Sequence, residues 1–311
     1  MLKRVGLFLA VMLSLFGDAN AQQDAMYTQY QFNALAINPA YAGSRNNVLN
    51  ATALFRSQWI GVEGAPETQT LSFDMPVAYK RIGLGLQVIN DKIGITKTTA
   101  AYGSYAYRIE MDGGNLALGL QAGIANFRAD FTSSQLNTGS APDPAFLQNI
   151  NKMLPNFGAG VYFNTDRFYI GASAPHMLNN QLRADAVEVT NTFSKQYVHW
   201  FIASGYVMDV GEDYKLKPSV LVKGVSGAPM QFDINANLWI KDVLSVGASY
   251  RSFADISASV EAQISWNLHI GYAYDRSMTG LSHVNSGSHE IMLRYQFAFD
   301  RDAYYAPKCY F

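Results

Sequence analysis

Residues 256–265 read Ile256-Ser257-Ala258-Ser259-Val260-Glu261-Ala262-Gln263-Ile264-Ser265, with an apolar residue at every even position and a polar one at every odd position. In an extended chain successive side chains point to opposite faces, so this alternation makes one apolar and one polar surface. A tilted run of about ten residues is long enough to cross the hydrocarbon core of a bilayer.

The pattern recurs on both sides of this stretch. Leu71, Phe73 and Met75 alternate with Thr70, Ser72 and Asp74. Phe232, Ile234, Ala236, Leu238 and Ile240 alternate with Gln231, Asp233, Asn235 and Asn237. Ile291, Leu293, Tyr295, Phe297 and Phe299 alternate with Glu290, Met292, Arg294, Gln296 and Ala298. Extending the period along the chain predicts about fourteen strands, an even number as closed bacterial barrels prefer. They begin near residues 48, 67, 81, 97, 115, 156, 167, 196, 215, 230, 243, 255, 267 and 289.

The connections sort by length. Ala78-Tyr79-Lys80, Asp112-Gly113-Gly114, Asn164-Thr165-Asp166, Lys241-Asp242 and the turn around Trp266 are short, and most are made of turn-forming residues. The longest links, Asp130–Pro155, Pro175–Lys195 and Arg276–Ser288, fall between them. Transmembrane barrels show this asymmetry, with short periplasmic turns and longer outer loops; a β-sandwich has no reason to. The predicted fold is therefore all-β, a transmembrane antiparallel up-and-down β-barrel of about fourteen strands.

Composition agrees. Among 311 residues, charged side chains make up 15% and aromatics 13%, against roughly 25% charged in an ordinary soluble domain. Lys+Arg 23 against Asp+Glu 24 gives a net charge of −1, which argues against nucleic acid as a partner. Lys3 and Arg4, the apolar run Val5–Phe16 and the small-residue site Ala19-Asn20-Ala21 predict a secretory signal peptide over 1–21. The rest divides into a pre-barrel segment over 22–46, the barrel over 47–299 and a tail over 300–311. Both termini are expected in the periplasm.

The polar strand faces, with Asp233, Asn235, Glu261, Arg294 and Gln296, should line the lumen, since a charge facing lipid at the midplane costs about 2–4 kcal/mol. Gly83, Gly85, Gly119 and Gly123 mark strand positions suited to curvature or to close approach by a plug. Trp59, Trp239, Trp266 and Tyr272 suit interfacial girdles.

Catalytic chemistry is thin. His199 and His269 sit inside strands. His283 and His289 flank the loop Ser282–Ser288, which is a weak basis for a Ser/His dyad. There is no G-x-S-x-G elbow, phosphate loop or H-E-x-x-H helix. The one cysteine, Cys309, cannot form an internal disulfide. No cofactor or metal is expected, and the chain is not expected to be an enzyme.

The most unusual stretch precedes the barrel: Gln29, Tyr30, Gln31, Phe32 and Asn33, then Ile37, Asn38, Pro39, Ala40, Tyr41, Ala42 and Gly43. It is rich in amides and aromatics and lacks strand or helix periodicity, so it is expected as a plug in the lumen or at the periplasmic mouth. Further motifs follow in order: Arg56-Ser57-Gln58-Trp59, Gly64-Ala65-Pro66 and Asn90-Asp91-Lys92-Ile93-Gly94. With these motifs the chain resembles the PorP/SprF outer-membrane proteins of the type IX secretion and gliding-motility machinery of Bacteroidota. The resemblance implies a non-enzymatic barrel supporting export or surface anchoring of large proteins such as adhesins. It also implies as partners outer-membrane lipid, a periplasmic ring lipoprotein with its partner, and the C-terminal domain of secreted surface proteins. For that domain, Phe131, Leu136, Phe146, Leu147 and Ile150 form an apolar set in a proposed outer loop. The alternatives are a passive porin or a hydrophobic-solute transporter and, behind them, a barrel hydrolase.

Overall fold

The computed structural model describes residues 26–45, 48–77, 81–131, 149–180 and 196–298. Its strands are β1 (Val48–Ser57), β2 (Glu67–Val77), β3 (Ile82–Ile93), β4 (Thr96–Met111), β5 (Gly114–Ala129), β6 (Ile150–Asn164), β7 (Phe168–Ala174) and β8 (His199–Tyr206). β9 (Met208–Asp209), β10 (Tyr214–Val225), β11 (Gln231–Ile240), β12 (Leu244–Arg251), β13 (Asp255–Gln263), β14 (Leu268–Ser277) and β15 (Ser288–Ala298) complete them.

Every pairing is antiparallel. β15 returns to β1, and β10 pairs with both β8 and β11, so the sheet closes on itself. β9 is a two-residue continuation of β8: the N–H of Val207 turns aside to the carbonyl of Arg167, and Met208–Asp209 then resumes pairing with β10. Among the described residues the molecule is a closed antiparallel barrel of fourteen strands with this one extra piece.

The two faces follow the period-two pattern. Thr70, Ser72 and Asp74 are buried while Leu71 is exposed; Ser257 and Glu261 are buried while Ile256 and Val260 are exposed. The exposed set is apolar and forms the outer belt, and the buried set is polar and lines the interior, as lipid on one side requires. Asp233, Asn235, Glu261 and Arg294 all face inward, and Arg294 reaches Glu261 at 2.6 Å.

The barrel has two unlike ends. One carries only short links, such as 112–113, 165–167 and 241–243; the other carries 58–66, 130–149, 175–198 and 278–287. They are called here the hairpin end and the long-link end.

Two expectations need correction. β6 starts at Ile150, not near 156, because β4 and β5 each run for 16 residues and the Ala129–Ile150 pair extends the sheet beyond its neighbours. Ile150 is thus a strand residue. Trp239 is not in a girdle: it falls on the same face as Asp233, Asn235 and Asn237, and is buried in the lumen. Tyr272 is exposed on β14, and Trp266 is exposed in the β13–β14 turn.

Candidate functional site

The interior is occupied by the chain itself. Residues 26–45 lie inside the barrel as three single-turn 3-10 helices, Tyr30–Phe32, Ala34–Ala36 and Pro39–Tyr41. Local chemistry sets these turns. The Asn38 side chain accepts from the N–H of Ala40 at 2.9 Å, and Pro39 begins the third turn, where its missing N–H is no loss. Nearly every side chain of the segment is buried, with Gln29, Tyr30, Phe32, Leu35, Ala40 and Tyr41 all at 5% exposure or less.

Single helical turns leave many backbone groups that need partners, and the wall supplies them. The N–H groups of Thr28 and Gln29 donate to the two oxygens of Glu290 at 2.9 and 2.7 Å. The Thr28 hydroxyl donates to Asp275 at 2.7 Å and accepts from Arg56 at 2.8 Å. Arg56 closes the group, reaching Asp275 at 2.6 Å and Glu290 at 3.1 Å, with all three side chains at 1% exposure or less. Further along, Asn235 donates to the Tyr30 hydroxyl at 2.9 Å and Asn33 donates to Ser72 at 3.0 Å. Ser173 donates to the carbonyl of Ile37 at 2.6 Å, Asn38 to that of Val161 at 3.0 Å, and Arg108 to that of Ala42. Gly43 N–H donates to Asp74 at 3.0 Å.

Aromatic contacts fill the gaps. Phe32 meets Trp239 edge-on at 6.3 Å between centroids, with the Lys217 ammonium 5.5 Å from the Phe32 ring on the same wall. Tyr41 meets Tyr162 edge-on at 5.4 Å.

Glycines let the backbones touch. A Cβ added at Gly83 would overlap the carbonyl of Ala42, one at Gly119 the backbone of Pro39 and Ala40, and one at Gly160 the Asn38 amide. Gly85 packs under Leu35 and Ala42; Gly123 instead faces Tyr102 and the backbone of its neighbouring strand.

Beside the segment, toward the long-link end, a cavity of about 150 Å³ is lined by Ile37, Tyr102, Phe127, Leu154, His176 and Phe201, among others. Phe131 and Ile150 pack against the buried cluster of Ala100, Tyr102, Ala125, Phe127, Ala129 and Leu154 that forms one side of this region. Leu136, Phe146 and Leu147 lie outside the described residues. At the rim, His289 shares a 2.6 Å hydrogen bond with the Tyr272 hydroxyl, and Ser288 accepts from the N–H of Trp59 at 3.2 Å. Of the loop's serines and histidines, Ser288 thus ties the β1–β2 loop to β15, and His289 ties β15 to β14.

A closed barrel with an apolar belt, filled by an ordered Asn-Pro-Ala-Tyr segment, is the setting in which the comparisons with known proteins are informative. The model of the type IX secretion system membrane protein family PorP/SprF matches residues 19–295. The chain belongs to the PorP/SprF family. No curated protein sequence matches it. Among solved structures, the chain is similar to the Acinetobacter baumannii outer membrane protein Omp33, with 10% identity and a TM-score of 0.46, over 81% of this chain and 99% of that one. It is similar also to the KdgM porin, with 11% identity and a TM-score of 0.38, over 80% and 99%.

In this PorP/SprF protein the motif residues divide into two places. Gln29, Tyr30, Phe32, Asn33, Asn38, Pro39, Ala40, Tyr41 and Gly43 form the inner segment, and Arg56 holds its start. The others brace the long-link rim. Gln58 N–H donates to the Pro66 carbonyl, Ile60 N–H to Gly287, and Gly94 N–H to Gly64. Asp91 accepts from Thr68 at 2.6 Å, and Asn90 from Thr99 at 3.1 Å. Trp59 takes a left-handed backbone, φ 46, to turn from β1 into this loop. The sequence reading did not find Asp275 and Glu290 as partners of Arg56, although all three are charged residues on inward strand positions.

Proposed function

We propose that this chain is a non-enzymatic outer-membrane component of type IX protein secretion that supports export or surface anchoring of large secreted proteins such as adhesins. The observation that supports this most is the occupied lumen. A diffusion channel needs an open polar bore, whereas here residues 26–45 take up the inward hydrogen-bonding groups of strands all around the wall. The barrel then offers its two ends rather than its bore. The hairpin end and the tail suit the periplasmic ring lipoprotein and its partner, and the long-link end, where Phe131 and Ile150 approach the rim, suits the C-terminal domain of an exported client.

The test pairs two measurements. Cells lacking the protein should lose one or a few large surface proteins with little change in small-solute permeability, and the purified barrel should conduct poorly in planar bilayers. High conductance with an unchanged surface proteome would favour a passive porin instead.

A further inference from the structure

We infer that the chain is threaded lengthwise through its own barrel, so that Met26 stands toward the long-link mouth while the far end of the segment and the strand ends Val48 and Ala298 stand at the hairpin rim.

The path is read from the anchors of the segment. Each strand can be counted from its residue at the hairpin end. Met26 sulfur meets the Lys223 ammonium, on the tenth residue of β10 counted from Tyr214. The carbonyl of Tyr27 accepts from Arg251, the eighth of β12 from Leu244. Thr28 and Gln29 are held by Glu290, the ninth of β15 counted back from Ala298. Tyr30 and Asn33 meet Asn235 and Ser72, each sixth from the hairpin end of its strand. Asn38 meets Val161, fourth from Asn164, and Gly43 meets Asp74, fourth from Val77. Ala42 lies over Gly83, the second residue of β3.

The level falls overall along the segment, with local reversals of one or two positions, as from Tyr27 to Thr28 and from Ala42 to Gly43. A fall from tenth to second position is about 26 Å along a strand at about 3.3 Å per residue, or about 20 Å along the axis of a barrel whose strands tilt by about 35–45°, some two-thirds of the roughly 30 Å of a hydrocarbon core. A segment that entered and left by one mouth would return at its far end to the level at which it began, whereas this one ends six or more positions lower. Met26 is only part-buried, unlike Tyr27 after it, so the path opens where the count is highest. At the other end β1 starts from the hairpin rim at Val48, and β15 returns to the same rim at Ala298.

The consequence is a two-sided display. If the long links face outward, Met26 is presented toward the cell surface, while Val48 and Ala298 stand on the periplasmic side. This arrangement is an alternative to both ends sharing the periplasm, and the labelling experiment below decides between them. The clamp that fixes Thr28 is made by Arg56 of β1 with Asp275 of β14 and Glu290 of β15, the first strand and the last two. Seating the segment and closing the barrel therefore meet at one set of contacts.

The threading rests on the described geometry, and only the naming of the faces rests on the proposed outer-membrane placement. The experiment uses the full chain in intact cells, in a Cys309→Ser background, with single substitutions Asp24→Cys, Asn285→Cys and Asp112→Cys and a membrane-impermeant maleimide. Insertion is confirmed by heat-modifiable mobility. Asp24→Cys should label together with Asn285→Cys, the long-link reference, and oppositely to Asp112→Cys, the hairpin reference. Labelling of Asp24→Cys with the Asp112→Cys pattern overturns the threading. So does an Asp24→Cys that stays unreactive even after lysis, since the path would then end inside the barrel. If Asn285→Cys and Asp24→Cys are both hidden while Asp112→Cys is exposed, the threading stands and the assignment of faces is reversed.

Discussion

Arg56 and Glu290 stand directly opposite each other across the β1–β15 pair, 3.1 Å apart and buried, and both hold Thr28. Removing one partner of a buried ionic group leaves uncompensated charge and costs about 3–5 kcal/mol, far more than the intact pair contributes. Arg56→Met removes the cation that Asp275 and Glu290 share and should lower the temperature of heat-modifiable unfolding sharply. Glu290→Gln should cost less, because an amide oxygen still accepts one backbone N–H and Arg56 keeps Asp275. Equal losses for the two variants would mean that the clamp is not organised around the arginine.

The glycine contacts predict an effect that can be separated from general strand disruption. Gly119 and Gly103 lie on neighbouring strands, but a Cβ at Gly119 would overlap the Pro39–Ala40 backbone, whereas the nearest atom to one at Gly103 is 3.9 Å away. Gly119→Ala should destabilise by roughly 1–3 kcal/mol, as overpacking does, and should raise bilayer conductance by displacing the segment. Gly103→Ala should stay within about 0.5 kcal/mol of the parent. If both leave conductance at the parent level, the segment tolerates displacement without opening a path.

Trp239 shows how far the sequence could be read. Period two assigned most strands because lipid outside and a polar interior enforce opposite chemistry on alternate residues, and most predicted starts fall within two residues of those observed. The alternation also put Trp239 on the same face as Asn235 and Asn237, but its residue type suggested a girdle. Its inward face follows from the alternation, but its partner Phe32 is 207 positions away in the chain, and no local pattern carries such a pairing. The levels of the inner segment were illegible for the same reason: each anchor is a long-range contact, as from Thr28 to Glu290. The glycines were legible as sites of close approach, though not which of them would meet the segment and which, like Gly123, would meet only a neighbouring strand. In lipid containing brominated acyl chains, Trp239 should keep its fluorescence in a variant where the other tryptophans are phenylalanine. Trp266, exposed in the β13–β14 turn, should be quenched when it alone is retained. Strong quenching of Trp239 would place it in the belt after all.

The last prediction separates a role in export from a role as a mere seal. Asn38 joins the segment to the wall through Val161, supports the turn at Ala40, and sits over Gly160 and Gly171. Asn38→Leu keeps the branched heavy-atom skeleton but removes both hydrogen bonds, leaving buried groups unpaired at about 1–3 kcal/mol each. That loss is small enough for the closed barrel to insert, yet it loosens the half of the segment nearest the hairpin end. If the segment couples the barrel to secretion, surface delivery of the large client should fall in this variant while sensitivity to bulky antibiotics stays near the parent level. If the segment only blocks the bore, the variant should become antibiotic-sensitive and deliver its client normally. The two phenotypes are read in the same strain, so a barrel that failed to insert would be recognised by its absence from the heat-modifiable fraction. Normal delivery from an inserted, antibiotic-sensitive barrel would remove the inner segment from the secretion role proposed here.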